Sequence, residues 1–344
     1  LAFAPVLVTG PGLSTTQAIG AQPVVYLFPA LALVAGYRLL AGRGVLGGRR
    51  PAAAVALAIV LYAAVGLSTA RAYFGRWAND PEVRVQYETA MVTALRALDA
   101  RGGAAAVSTI TPGPFHTPAV ALLTLHNPTV QARYFDGRES LLLPAAAEST
   151  LILPGFTPLP PALQPYLATA TLVDELPMRP DDLDRPIRLY SLAGPAATAA
   201  ALERMQTVDD TQAARFGEAV EFLGYELSTA TARPGETVTL VTAWRLGRPL
   251  PGAALFAHVL GPAGPLAQSD SLGAPGEGWM AGDTLLQVHT IPLPAGLAPG
   301  AYPLAVGVYT RPDGARLPLA GGGDLLTLTT LTVVAAAVAP EGDG

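Results

Sequence analysis

Residues 51–70 read PAAAVALAIVLYAAVGLSTA, an uncharged run bracketed by Arg50 and Arg71. A helix rises about 1.5 Å per residue, so a run of this length matches the roughly 30 Å hydrocarbon core of a bilayer. The two arginines can lay their stems along the run and hold their charges at the two interfaces. A buried helix of a soluble protein usually keeps a polar face, and this run offers only Tyr62, Ser68 and Thr69. Residues 24–40 (VVYLFPALALVAGYRLL) form a second candidate span, with Tyr26 near one end and Tyr37 and Arg38 near the other, where interfacial aromatics and cations belong. Pro29 is tolerable in lipid if a neighbour satisfies the carbonyl it frees. The loop 41–50 holds Arg43, Arg49 and Arg50, whereas residues 1–37 carry no charge at all. The positive-inside rule therefore places the loop in the cytoplasm and everything after residue 70 outside it, making 1–72 a transmembrane portion with two spans.

Only 14% of the 344 residues are charged, against about 25% in an ordinary soluble domain. Every one of the 21 basic residues is Arg. No Lys means no Schiff-base, P-loop or kinase lysine, and no Cys means no thiol nucleophile, cysteine zinc site or disulfide. The formal net charge of -5, with arginines scattered singly, offers no stripe for nucleic acid. The chain opens on Leu1 inside an apolar run with no basic segment before it, which reads as a piece whose start lies upstream.

Beyond the spans, Tyr73, Phe74 and Trp77 suit an aromatic belt at the outer interface. Asp80-Pro81-Glu82 then reads as N-cap, N1 and first-turn acid, and Val83, Tyr87, Met91, Ala94, Leu95 and Leu98 recur at helical spacing until Gly102-Gly103. This predicts one amphipathic helix followed by alternating strand-like and helix-like segments, a small α/β extracytoplasmic domain over 73–192. An Ala-rich linker with Asp209-Asp210 occupies 193–215. From 216 to 335, strand-like runs at 220–228, 237–246, 253–260, 284–291, 301–309 and 325–334 are separated by turns such as Arg233-Pro234-Gly235 and Pro312-Asp313-Gly314. That punctuation predicts an antiparallel, Ig-like β-sandwich, followed by a small polar tail over 336–344.

The chemistry-bearing patterns are sparse. Gly42-Arg43-Gly44-Val45-Leu46-Gly47 matches the dinucleotide fingerprint, but it joins two spans instead of a strand to a helix and reads as a flexible loop. Asp182-Leu183-Asp184 has the acid spacing of some metal-binding transferases, yet Arg179, Arg185 and Arg188 would compete for those carboxylates, so it reads as a solvated charged turn. His116, His126, His258 and His289 have no ligand spacing and read as surface or strand histidines. No catalytic, cofactor-binding or metal-ligating residue is assigned, and no cofactor is expected in this fragment. On the sandwich, Trp279 and Tyr302 are the candidates for a sugar-stacking platform, with Trp279 expected to be exposed in its Gly276-Glu277-Gly278 loop. Trp244 and Tyr309 fall inside strand-like runs and read as core.

Two spans joined by a short Arg loop, then Tyr73-Phe74-Gly75-Arg76-Trp77-Ala78 with Pro81 and Tyr87 downstream, resemble the C-terminal end of a bacterial GT-C class membrane glycosyltransferase of the protein O-mannosyltransferase and aminoarabinose-transferase-like family. The sandwich segments Phe222-Leu223-Gly224-Tyr225, Trp244-Arg245, Phe256-Ala257-His258-Val259-Leu260 and Gly300-Ala301-Tyr302 are similar to a domain appended to some of these proteins. The resemblance implies sugar transfer from a polyprenyl-phosphate donor to a glycan or envelope acceptor outside the cytoplasm. In that family the catalytic acid lies on the first outer loop, which no position here matches, so the chain by itself is expected to be inactive. The alternative is a membrane-anchored, non-enzymatic protein whose sandwich binds a glycan or an envelope partner.

Overall fold

The structure, a computed structural model, describes residues 22–42, 50–113, 116–208 and 214–335. Most of the loop 41–50, the Gly42–Gly47 fingerprint after its first residue, Asp209-Asp210 and the tail 336–344 lie outside them. Two compact units divide between Asn79 and Asp80.

The first unit holds helix α1 (Gln22–Gly42) and helix α2 (Arg50–Ala70). Among the described residues one helix is long and apolar enough to cross a membrane, Val55–Asn79, with no part of it buried against protein. In α1 the apolar stretch is the shorter Ala30–Leu39, which already contains Arg38. The helical path continues past α2 through a wider turn at Arg71–Arg76 and a tight one at Trp77–Asn79. There Tyr73 stacks on Trp77 with ring centroids 4.7 Å apart and meets Phe74 edge-on at 5.0 Å. Asn79 closes the segment by donating from Nδ2 to the carbonyls of Phe74 and Gly75.

The second unit begins where Asp80 caps helix α3 (Pro81–Gln86), its carboxylate accepting from the Glu82 N–H at 3.0 Å. The single helix read from the sequence is broken here. Glu88 takes φ +52, and helix α4 (Thr89–Arg101) starts anew after it, leaving Tyr87 exposed. Strands β1 (Ala104–Ser108), β2 (Gln131–Phe135), β4 (Ser149–Pro154), β5 (Thr171–Glu175) and β6 (Ile187–Leu192) make a mixed sheet in the order β2-β1-β4-β6-β5, after skipping β3 (Ser140–Leu143). β1 runs parallel to β2 and β4, and β6 runs antiparallel to β4 and β5. Between β1 and β2 lies helix α5 (Thr117–Thr124), which packs on α4.

Strand periodicity sorts this sheet's side chains onto two faces. Ala105, Val107, Ile152, Ile187 and Leu189 join Met91, Ala94 and Leu98 of α4 in one core, whereas Ala106, Leu151 and Leu192 join the larger core shared with the sandwich. The segment 193–215 contributes to that shared core through helix α6 (Gly194–Glu203), with Ala197 and Ala201 buried. A Cβ on Gly194 would lie 1.7 Å from the Pro144 carbonyl oxygen, so only glycine lets the start of α6 approach the chain leaving β3 this closely.

The sandwich has two sheets. One, ordered β3-β13-β10-β8-β7, contains β7 (Arg215–Phe216), β8 (Val220–Leu227), β10 (Thr237–Leu246) and β13 (Thr284–Pro292). The other, ordered β12-β11-β14-β16-β9, contains β9 (Thr231–Ala232), β11 (Ala253–Gly261), β12 (Gly264–Ser271), β14 (Gly300–Thr310) and β16 (Leu326–Val333), with β15 (Ala315–Arg316) beside β14. β3 is supplied by the segment read as α/β. It pairs antiparallel with β13, Leu143 opposite Thr284, and all four of its residues are buried. Between the sheets Trp244 is fully buried, 5.1 Å edge-on from Phe222 and 5.7 Å from Phe216.

Candidate functional site

The two sugar-stacking candidates are not brought together. Trp279 is buried at 4% exposure, its indole N–H donating to the Ala274 carbonyl at 2.9 Å, which corrects the expectation of an exposed ring. The cause is the Gly276–Gly278 turn, which folds back so tightly that a Cβ on Gly276 would sit 1.9 Å from the Leu250 carbonyl oxygen. Tyr302 is half-buried and donates from its hydroxyl to the Ala298 carbonyl at 2.8 Å. The Gly276 turn meets the chain beside Arg311, whereas Tyr302 lies near the other end of β14. At about 3.4 Å per residue the two are separated by roughly 25 Å of strand.

His258 and His289 are both buried, His289 on the core face of β13 and His258 on the other face of β11 beside Phe256. His258 Nε2 is 3.0 Å from Asp270 Oδ1, and His289 Nε2 is 3.1 Å from the Thr242 hydroxyl, which also accepts from the Trp244 indole at 2.8 Å. Burial lowers the His289 pKa to about 4, against the smaller opposing influences of the Ser269 carbonyl and Asp270. The unfolded chain, near 6.5, therefore binds a proton that the folded chain refuses between pH 6.5 and 4. Stability from this group is complete above pH 6.5 and falls by about 3 kcal/mol as the pH drops to 4. Urea unfolding between pH 7 and 4 should show this loss, and His289→Gln should flatten it; an unchanged acid limb in the variant would remove His289 as its source.

The chemistry-bearing groups that do converge were not singled out together in the sequence. They line a cavity of about 250 Å³ near the carboxyl end of β1, between that strand, the first turns of α4 and α5, and the loop before β6. In a sheet with parallel strands this end is where ligands commonly bind. Two residues frame it with a backbone that side chains rarely adopt: Glu88 at φ +52 and His116 at φ +61 are the positive-φ non-glycine residues of the described chain. Such strain persists where the surrounding structure holds it, and it clusters at binding sites. Glu88 is held by its carboxylate, which accepts from the Thr117 hydroxyl at 2.8 Å through one oxygen and lies 4.0 Å from His116 Nδ1 through the other. Thr117 in turn lies 2.8 Å, hydroxyl to hydroxyl, from Thr109 at the end of β1. This network ties the break in the helix at Glu88 to the start of α5 and the end of β1.

Asp184 also faces this cavity. The turn 182–184 separates its two acids: Asp182 pairs with Arg84 at 2.6 Å and accepts from the Arg179 N–H at 2.8 Å. Asp184 is 6% exposed, which corrects the reading of a solvated turn at that position. Burial first, then the charges of Asp182 and Glu88, raise its pKa above the ordinary carboxylate value. Among the described residues no group of three or more His, Asp or Glu side chains is arranged to hold a metal ion.

No protein-family model matches the chain, and no curated protein sequence matches it. Among solved structures, the C-terminal domain of wzt overlaps 36% of this chain and 77% of its own length at 12% identity and a TM-score of 0.27. A putative membrane anchored protein from Corynebacterium diphtheriae overlaps 61% of each chain at 12% identity and a TM-score of 0.20. Neither overlap is close enough to define a shared fold.

Proposed function

We propose that this chain is the C-terminal part of an integral-membrane glycosyltransferase that moves a sugar from a polyprenyl-phosphate donor to an extracytoplasmic acceptor. In this reading, residues 24–40 and 51–70 cross the bilayer, and the α/β segment and an Ig-like sandwich lie outside the cytoplasm. The observation that carries it is the juncture: an apolar helix over Val55–Asn79, finished by the stacked Tyr73 and Trp77, with the Asp80 cap of a folded unit next in sequence. That order of features is the one on which the resemblance to the GT-C class rests. Donor chemistry belongs to a region upstream, and residues 80–335 serve as scaffold or acceptor handling.

The deciding experiment compares membranes containing the protein encoded with its upstream region against membranes containing residues 1–344 alone. The first should transfer label from a polyprenyl-phosphate sugar to an external acceptor, and the second should not. Transfer that survives deletion of the whole gene would overturn the assignment. Orientation is read separately by introducing Ala263→Cys in a chain that has no native Cys. Ala263 is exposed at the turn between β11 and β12. It should react with an impermeant maleimide in intact cells, and reaction only after lysis would reverse the topology.

The membrane-anchored, non-enzymatic binder remains the second reading because of the cavity beside Glu88 and Asp184. It places recognition in the α/β segment instead of on the sandwich aromatics.

A further inference from the structure

We propose that this cavity binds a small organic cation, a primary ammonium carried on an apolar frame of about one ring. The argument stands apart from the glycosyltransferase reading and rests on what the cavity offers and lacks.

Two carboxylates face it, Glu88 and Asp184. Glu88 has partners, the Thr117 hydroxyl and the more distant His116 ring. Asp184 is more than nine-tenths buried, and among the described residues no donor is hydrogen-bonded to its carboxylate. Its oxygens open onto the cavity, where a ligand's N–H groups can supply the hydrogen bonds that no neighbouring side chain gives. The Thr111 hydroxyl, also on the wall, is buried at its oxygen and has no partner. The missing element is therefore a group rich in donors. An ammonium supplies three donors and no acceptor, and it also neutralises the paired negative charges.

The remaining wall sets the rest of the ligand. Met91, Ile110 and Phe156 present carbon to the same space, so the frame attached to the ammonium is apolar on at least one side. At about 250 Å³ the cavity falls below the roughly 300–1,000 Å³ of sites for drug-sized molecules, which limits the frame to about one ring. Anions are excluded by the same inventory. The nearby arginine, Arg84, already engages Asp181 at 3.0 Å and Asp182 at 2.6 Å, and the one basic group on the wall is the largely exposed His116.

The test uses three probes of one shape on the full chain in detergent at pH 7.5: cyclohexylammonium, cyclohexanol and cyclohexanecarboxylate. Saturation-transfer NMR titrations should show the cation binding at least tenfold more tightly than the alcohol, with no binding of the carboxylate. Asp184→Asn should weaken the cation at least tenfold and leave the alcohol within twofold. Equal binding of cation and alcohol, binding of the carboxylate, or binding of none of the three would overturn the proposal. The probe comparison needs only the native chain, so it decides the matter even if the variant does not fold. Sugar transfer plays no part in the readout, so failure here leaves the transferase reading to its own experiment.

Discussion

Replacing Trp244 by alanine should cost about 3–5 kcal/mol, the range for removing a large aromatic from a core. Two losses combine. The indole is fully buried and packs against Phe216 and Phe222, so its removal opens a cavity between two other aromatics. Its N–H is the donor to the Thr242 hydroxyl, a group that also faces His289 and the Gln287 carbonyl. Removing one member leaves that buried cluster short of a hydrogen bond. Since domains of this kind are stable by about 5–15 kcal/mol in total, the variant should lose roughly a fifth or more of its stability to urea. Trp244→Phe keeps most of the volume and should lose much less. A midpoint for the alanine variant close to that of the native chain would mean that the two sheets repack around the gap.

A comparable loss is expected where the α/β sheet meets the sandwich. Arg133 on β2 and Asp283 just before β13 are 6% and 0% exposed, with Nε to Oδ2 at 2.6 Å, and the other Asp283 oxygen accepts from the Ala145 N–H at 2.8 Å. Arg133→Met leaves Asp283 charged, buried and short of a partner, and breaking a buried pair from one side costs about 3–5 kcal/mol. The double variant Arg133→Met with Asp283→Leu removes the stranded charge and should recover more than half of that loss. The Ala145 N–H still loses its acceptor, which keeps the double variant below the native chain. Equal destabilisation of the single and double variants would show that packing, not charge, governs this contact.

The elements legible in the sequence were those with regular periods or strong punctuation. The run 51–70 is uncharged, and the strand runs 237–246, 253–260 and 284–291 lie between turn residues; the structure has strands at Thr237–Leu246, Ala253–Gly261 and Thr284–Pro292. β12 was missed because GPLAQSDS is a polar edge strand with little on either face to bury. β3 was missed for the opposite reason: Ser140-Leu141-Leu142-Leu143 has no alternation, because both of its faces are covered. The cavity was illegible because its acids come from distant segments. Glu88 hides inside a helical pattern, Asp184 inside a charged turn, and the contact between Glu88 at the break and Thr117 joins residues far apart in sequence. The one available signal was positional, a Thr-rich loop from Thr109 to Thr117 between a strand and a helix.

The placement of β3 also bears on how the protein is made. Leu143 and Thr284 are neighbours in one sheet although about 140 residues of chain separate them. During synthesis β3 leaves the ribosome long before the strand it will pair with, at about 5–20 residues per second. The α/β segment thus waits with one buried strand unpaired, and contacts between such distant residues slow folding. A piece made from residue 216 onward would meet the same problem in reverse, because β13 would become an open edge with Leu285 and Leu286 in a strand free to pair with another copy. The mixed sheet of the α/β segment can close once Leu192 has emerged, but the sandwich sheet that takes β3 must wait for β13, so for that sheet the order of synthesis works against the order of pairing.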